Sequence, residues 1–175
     1  MPASSLIAKL KKVRLFICDV DGVLTNGTII MGDGKEYKSF SIQDGLGLLL
    51  LMRSGIKVAW VSNRPSPVTQ QRAEELGITF LIQSKESKAQ AIEALLAKEG
   101  FDWAEVCYVG DDVVDLGALK RAGVSASVAN AIDEAKQMAD YVTRASGGNG
   151  AVRELVRLVL NAQGKWKDVI KHFSA

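Results

Sequence analysis

The residues best suited to chemistry in this sequence are two aspartates that follow an apolar run. Residues 13–18 are almost continuously apolar, as in a strand covered on both faces, and Asp19, Asp21 and Gly22 come directly after them. Ligands of open α/β sheets bind just beyond the carboxyl ends of such strands. Two carboxylates this close repel each other unless a positive charge lies between them. Oxygen ligands of this kind suit Mg²⁺, so the pattern predicts a magnesium site.

Further polar groups follow later apolar runs in the same way. Ser62 ends one such run, and Asp111, Asp112 and Asp115 follow another. Lys88 lies where a helix is predicted to begin, near the same edge of the sheet. Because the carboxyl ends of parallel strands meet at one edge, we expect these side chains to converge.

This set of residues suits phosphoryl transfer through an aspartyl phosphate. One carboxylate attacks phosphorus, while Mg²⁺ and a lysine neutralise charge on the transferring group. A hydroxyl and backbone N–H groups hold the phosphate oxygens. A second carboxylate protonates the leaving oxygen and later activates water.

Strand and helix patterns alternate along the chain, which predicts a doubly wound α/β fold with a mainly parallel sheet. Its 175 residues fit one domain, here taken as residues 1–175. Asp44 is expected to cap the second helix and Pro65 to open the third. Strands are predicted at 13–18, 56–61, 78–82, 105–109, 124–128 and 141–142, and a β-hairpin, here called the flap, over 25–41.

Composition excludes several classes of protein. Apolar residues make up 47% of the chain and charged residues 24%, which are globular values, and the net charge of +2 argues against a nucleic-acid partner. Cys18 and Cys107 lie in apolar runs and are expected to be core residues rather than a disulfide. No apolar run approaches membrane-spanning length, so we expect a cytoplasmic protein without a membrane partner.

The motifs together resemble the haloacid dehalogenase (HAD) superfamily nearly end to end. D-V-D-G-V at 19–23 is similar to its first motif, V-A-W-V-S at 58–62 to its second, and G-D-D-V-V-D at 110–115 to its fourth. Lys88 fits the third-motif lysine through the spacing Q-S-x-x-x-K, which ranks it above the alternative, Lys85.

The resemblance implies a role for each of these residues. Asp19 would be the nucleophile and a magnesium ligand, and Asp21 the general acid/base, contacting the metal through its backbone carbonyl. Ser62 and Lys88 would hold the phosphoryl group, and Asp111 would bind the metal directly. Asp112 and Asp115 would support the metal's waters or orient Lys88.

Many members of this superfamily carry a cap domain between these motifs, but this chain has no room for one. The stretch between Asp21 and Ser62 holds only the flap and one helix, and that between Ser62 and Lys88 only a helix and a strand. Exclusion of water and choice of substrate must therefore come from the flap or from a neighbouring subunit.

Within the superfamily, the chain is most similar to the 3-deoxy-D-manno-octulosonate 8-phosphate (KDO 8-phosphate) phosphatase family, over at least residues 13–164. These proteins are capless homotetramers of sugar-acid and lipopolysaccharide biosynthesis. The similar segments are D-V-D-G-V-L-T-N-G, M-G-D-G-K-E, F-S-I-Q-D-G-L-G, G-D-D-V-V-D-L, A-D-Y-V-T-R and G-G-N-G-A-V-R-E. The resemblance implies Mg²⁺ as cofactor and a phosphorylated sugar acid as substrate.

Substrate contacts are also implied by the resemblance. Arg64 and Arg72 would take the carboxylate of the sugar acid, since the arginine fork suits that group, while Mg²⁺ and Lys88 take the phosphate. The remaining implied contacts are Ser41, Ile42, Gln43, Asp44 and Gly45.

The sequence departs from that family's pattern at three positions. Gln43 and Leu49 stand where basic residues are expected, and Asn63 stands where glycine is usual. One alternative is a phosphatase of the nine-carbon acid phosphate, but those relatives have an acidic residue at the position of Arg64. Another alternative is a receiver domain, but there the phosphorylated aspartate lies on a later strand than the acidic pair, whereas here the paired acids come first in the chain. A non-catalytic assembly module is a third alternative, but it would not need the complete set of catalytic residues.

The flap also predicts self-assembly. Ile29, Ile30, Met31, Tyr37 and Phe40 would be exposed on an isolated two-stranded ribbon, which is marginally stable by itself. We therefore expect a homotetramer, by resemblance, in which the flaps pack around a common axis. The tail, residues 163–175, either frays or reaches the active site of a neighbouring subunit.

Overall fold

The protein, a computed structural model that describes residues 4–174, is built around a six-stranded parallel sheet with the order β5-β4-β1-β6-β7-β8. The strands are Leu15–Cys18 (β1), Ile30–Gly32 (β2), Lys35–Tyr37 (β3), Lys57–Ser62 (β4), Phe80–Gln83 (β5), Val106–Gly110 (β6), Val124–Ser127 (β7) and Tyr141–Val142 (β8). The helices are Ser4–Leu10 (α1), Ile42–Arg53 (α2), Pro67–Leu76 (α3), Lys88–Glu99 (α4), Leu116–Leu119 (α5), Asp133–Met138 (α6), Ala151–Ala162 (α7) and Trp166–Phe173 (α8).

The central strand β1 explains the apolar run that precedes the two aspartates. It pairs in parallel with β4 on one side and β6 on the other, so that Phe16 lies opposite both Val58 and Cys107. All four of its residues are buried because helices cover both faces of the sheet. The predicted doubly wound α/β fold is confirmed, and no cap domain is inserted within residues 4–174.

The direction in which the chain adds strands to the sheet reverses at β1. The chain moves outward from β1 to β4 and β5, and then crosses to β6, β7 and β8 on the other side. The carboxyl ends of β1 and β6 are therefore neighbours from which the connections diverge, and crevices of this kind hold ligands in α/β folds. Asp19 and Asp111 each come directly after one of these two strands.

The flap is a short antiparallel hairpin outside the main sheet. Ile30 pairs with Tyr37 and Gly32 with Lys35, which leaves Asp33 and Gly34 as a two-residue turn. Both turn residues have positive φ, 51° and 69°, as a type I′ turn requires. The hairpin within the predicted 25–41 segment is confirmed, although only residues 30–32 and 35–37 pair.

Two predicted helix starts are wrong. Ser41, not Asp44, caps α2, because its Oγ accepts a hydrogen bond from the backbone N–H of Asp44 at 3.3 Å. The third helix begins at Pro67 rather than Pro65, since Ser66 provides its cap through the N–H of Thr69. In both cases the hydroxyl of the serine before the helix accepts a hydrogen bond from the third N–H group of the helix. Other residues near each helix start could also have capped it, so the sequence alone did not single out the serine.

The last two helices pack beside each other, on the side where α7 lies against α2. The ring of Trp166 in α8 lies beneath the guanidinium groups of Arg153 and Arg157, at 5.2 and 5.8 Å from the ring centroid. The part of the tail that the structure describes is therefore mostly helical rather than frayed.

None of the helices among residues 4–174 is long and apolar enough to cross a membrane. Cys18 and Cys107 are free, buried thiols, as predicted.

Candidate active site

Lys88 is buried at the first turn of α4 and bridges two aspartates. Its Nζ donates hydrogen bonds to Asp19 Oδ1 and, at 2.6 Å, to Asp115 Oδ1. Asp115 also accepts from Tyr108 Oη at 2.5 Å and from the backbone N–H groups of the two residues after β6, at 2.9 and 3.1 Å. With four donors around one carboxylate, Asp115 holds Lys88 against Asp19.

Three carboxylates gather beside this lysine. Oxygens of Asp19, Asp111 and Asp115 lie within 4.8 Å of one another. Burial, followed by the charge of Asp115, raises the pKa of Asp111 to about 6, and burial raises the pKa of Asp19 although the positive charge of Lys88 opposes this. Asp111 Oδ1 is buried without a hydrogen-bond partner among the described residues. Because the oxygens of Asp115 are already saturated, Asp19 and Asp111 are the carboxylates that fit a hard divalent cation.

Gly22 allows the first motif to approach this cluster. Its φ is +104°, and a Cβ there would lie 2.0 Å from Asp111 Oδ2, so only glycine fits. One residue earlier, Asp21 is contacted by Lys38 of the flap, whose Nζ lies 2.7 Å from Asp21 Oδ1. Asp21 Oδ2 is buried and has no partner among the residues that the structure describes.

Ser62 and Asn63 connect the end of β4 to the loop before Lys88. Ser62 is buried, and its Oγ lies 3.1 Å from both the backbone N and the carbonyl O of Arg64. Asn63 Nδ2 donates to the carbonyls of Ser84 and Glu86, at 2.8 and 2.6 Å. The asparagine that departs from the family pattern thus ties down the segment from which α4 starts.

The structure brings the predicted catalytic residues Asp19, Asp21, Ser62 and Lys88, with Asp111 and Asp115, to the carboxyl edge of the sheet. Asp112 follows Asp111 at this edge and is exposed, and its Oδ1 accepts from the N–H of Val113 at 2.6 Å at the start of a 3₁₀ turn at Val113–Asp115.

Comparison with known proteins agrees with this geometry. A family model described as haloacid dehalogenase-like hydrolase matches residues 75–155. The 3-deoxy-D-manno-octulosonate 8-phosphate phosphatase KdsC of Escherichia coli is 43% identical over 164 residues, which are 93% of this chain and 87% of that protein. The KdsC protein of Yersinia pestis is 42% identical over 93% of this chain and 88% of its own length. The chain belongs to this phosphatase family.

Solved structures of KDO 8-phosphate phosphatases superimpose closely on this fold. The enzyme from Moraxella catarrhalis, crystallised with a magnesium ion, a phosphate ion and KDO, has a TM-score of 0.94 and 42% identity, covering 96% of this chain and 97% of that one. A cobalt-bound phosphatase from Haemophilus influenzae has a TM-score of 0.87 and 40% identity, covering 90% and 92%. A divalent-metal phosphatase is therefore the class to which this chain belongs.

Two flap residues that the sequence analysis did not single out reach this phosphatase site. Glu36 pairs with Arg64 at 2.7 Å and accepts from Ser66 Oγ at 2.9 Å, and the hydrogen bond from Arg64 lowers the pKa of Glu36. Lys38 contacts Asp21, as described above. The alternation Lys-Glu-Tyr-Lys at 35–38 places both side chains on the face opposite Tyr37, and that signal could have found them.

The substrate contacts implied for this family are only partly available. Ser41, Asp44, Gly45 and Arg72 line one small cavity together. Within it, however, the Asp44 carboxylate accepts from the backbone N–H groups of Gly150 and Arg153, at 3.1 and 2.7 Å, and so fixes the start of α7. Ile42 and Gln43 are exposed on α2, and Arg72 pairs with Glu75 at 2.7 Å.

Proposed function

We propose that the protein hydrolyses 3-deoxy-D-manno-octulosonate 8-phosphate to KDO and phosphate, through an aspartyl phosphate on Asp19. The observation that carries this proposal is Lys88, buried between Asp19 and Asp115 beside the unpartnered oxygen of Asp111. A buried lysine beside a nucleophile can bind a phosphoryl group, and the unpaired carboxylate oxygens, Asp21 Oδ2 and Asp111 Oδ1, can take a proton or a cation. The substrate follows from the relatives that are 42–43% identical to this chain and carry that name.

Mg²⁺ fits the donor set of the site. Asp19 and Asp111 would hold it through carboxylate oxygens, and Asp21 through its backbone carbonyl. When bound, the ion supplies positive charge that orients the phosphate and stabilises the transferring group.

The protein's own residues account for the two chemical steps. An oxygen of Asp19 attacks phosphorus as the bond to the ester oxygen breaks, and Asp21 gives that oxygen its proton. Lys88 and the Ser62 hydroxyl bind the phosphoryl oxygens and limit their charge. Asp21 then takes a proton from water as the water attacks phosphorus, which releases phosphate and restores Asp19.

Recognition of the sugar acid is assigned to the two arginines. Arg64 is half exposed and its guanidinium is held by Glu36, while Arg72 lies mostly buried beside Gly45. Either guanidinium can bind the substrate's carboxylate in a forked contact, and Arg64 must exchange its bond to Glu36 to do so. An acidic residue at the position of Arg64 would repel that carboxylate, which favours the eight-carbon acid.

The proposal is tested by initial rates on two substrates. KDO 8-phosphate and a nine-carbon sugar-acid 9-phosphate are compared with excess Mg²⁺, and again with a chelator in place of the metal. We expect turnover of the eight-carbon substrate, a lower kcat/KM for the nine-carbon one, and no phosphate release without metal. Preference for the nine-carbon ester would overturn the substrate assignment, and metal-independent turnover would overturn the mechanism.

We also propose that the enzyme is a cytoplasmic homotetramer joined at its flaps. Ile30, Met31 and Tyr37 are 60, 68 and 49% exposed, and apolar side chains on a short ribbon are best buried against a partner. Phe40 does not contribute to this surface as expected, because it is partly buried and stacks on Trp60 with ring centroids 6.1 Å apart. The free thiols suit a reducing compartment.

A further inference from the structure

We infer that Lys38 is a positioning residue, which orients the carboxylate of Asp21 so that Oδ2 is the atom that exchanges protons with the ester oxygen and with water. This inference rests on the proposed phosphatase mechanism and adds to it a flap residue that does not itself bind the substrate. Its basis is the set of contacts that Lys38 makes on three different elements.

The ammonium group of Lys38 lies among three acceptors. Its Nζ donates a hydrogen bond to Thr69 Oγ1 at 3.0 Å and forms ion pairs with Asp21 Oδ1 at 2.7 Å and Glu36 Oε1 at 3.4 Å. The side chain is completely buried, and Thr69 is buried as well. The shortest of the three contacts, to Asp21, joins the flap to the first motif.

Only one of the two carboxylate oxygens of Asp21 has a polar partner among the described residues. Oδ1 faces Lys38, whereas Oδ2 is buried and has no hydrogen-bond partner among residues 4–174. A buried carboxylate oxygen is normally paired, because leaving it unpaired is costly. A substrate oxygen or a water molecule that forms a hydrogen bond with Oδ2 removes this cost. Because Lys38 contacts Oδ1, Oδ2 is the oxygen left free for that hydrogen bond.

A second flap residue holds Lys38 in place. Glu36 contacts Lys38 with one carboxylate oxygen, and the two oxygens also bind Ser66 at the start of α3 and Arg64 after β4. The flap is thereby tied to α3 and to the end of β4. The orientation of Asp21 therefore depends on the contacts that hold the flap against α3 and the end of β4.

The chemical consequence lies in the first step. As the bond between phosphorus and the ester oxygen breaks and that between phosphorus and Asp19 forms, the proton on Asp21 Oδ2 moves to the departing oxygen, which leaves as an alcohol. Without Lys38 the carboxylate rotates, and the departing oxygen has to leave with more negative charge. Esters with strongly basic leaving groups need that proton most, so they should suffer most.

The experiment compares Lys38→Met with the wild type on phenyl phosphate and p-nitrophenyl phosphate. The kcat/KM value reports the steps up to phosphorylation of Asp19, and neither ester carries a sugar acid that the flap could contact. Phenolate is the more basic leaving group. We expect Lys38→Met to lower kcat/KM for phenyl phosphate about tenfold more than for p-nitrophenyl phosphate, a share of the 10²–10⁴-fold that general acids contribute.

Matched variants complete the test. Lys35→Met removes an exposed lysine from the same hairpin and should change neither value. Thr69→Val removes one anchor of Lys38 at nearly constant volume and should show the same leaving-group dependence more weakly, which keeps the test informative even if Lys38→Met does not fold. Asp21→Asn gives the upper limit of the effect.

Equal losses on the two esters in both Lys38→Met and Thr69→Val would overturn the positioning role and leave the phosphatase assignment standing. A wild-type enzyme that releases phosphate from none of these esters, nor from KDO 8-phosphate, would instead overturn the proposed function together with this inference.

Discussion

Replacing Asp115 by asparagine should damage both the stability and the activity of the protein. Oδ1 accepts from Lys88 and Tyr108, and Oδ2 accepts from the backbone N–H groups of Asp111 and Asp112. An asparagine has one oxygen and one NH₂ group. At the Oδ1 position the NH₂ group would face the ammonium group of Lys88, and only the Tyr108 hydroxyl could turn to accept from it; at the Oδ2 position it would face two backbone N–H groups, which cannot accept.

The expected cost follows from this mismatch. Breaking a buried ion pair costs about 3–5 kcal/mol, a large part of the ~5–15 kcal/mol that stabilises a typical domain. For a chain of this length, each kcal/mol lowers the melting temperature by about 2–4 °C, so Asp115→Asn should lower it by roughly 6–20 °C. Its kcat should fall about 100-fold, because Lys88 loses the group that aims it at Asp19.

Thermal unfolding and initial rates, measured at one protein concentration, test this prediction. Tyr108→Phe is the matched control, because it removes one donor and leaves Lys88 paired with Asp115. It should lower the melting temperature less than half as much and leave kcat within about threefold of the wild type. An Asp115→Asn protein that melts within about 2 °C of the wild type would refute the reasoning.

Four further outcomes are expected. Asp19→Asn should fold normally and lose several orders of magnitude in turnover; retention of a tenth of the activity would contradict its role as nucleophile. In titrations of activity with Mg²⁺, Asp111→Ala should weaken metal affinity much more than Asp21→Asn, and equal weakening would refute the separate roles. Asn63→Ala should lower kcat by loosening the segment before α4 with little change in melting temperature, whereas an unchanged kcat would show that this tie is dispensable. Light scattering should find a tetramer that survives truncation after Gly164 with altered KM or kcat; a fully active monomer at micromolar concentration would exclude the proposed assembly.

The sequence by itself determined the sheet and its reactive edge. Apolar runs that end in Asp19 and in Asp111 can be placed without a structure, because strands buried on both faces are continuously apolar and their carboxyl ends must meet. The turn at Asp33 and Gly34 follows from local chemistry as well, because both residues tolerate positive φ. These features depend on residues close to one another in the chain.

Only the tertiary structure decided which partner each polar side chain binds. Asp44 satisfies the first N–H groups of α7, more than a hundred positions away, and therefore does not cap its own helix. Lys38 and Asp21 meet because the flap folds back over the site, and Asn63 finds the carbonyls before α4 because β5 lies beside β4. Each contact joins groups whose separation is set by sheet order and loop path. A carboxylate or an amide has many possible partners in the sequence, and only folding selects one of them.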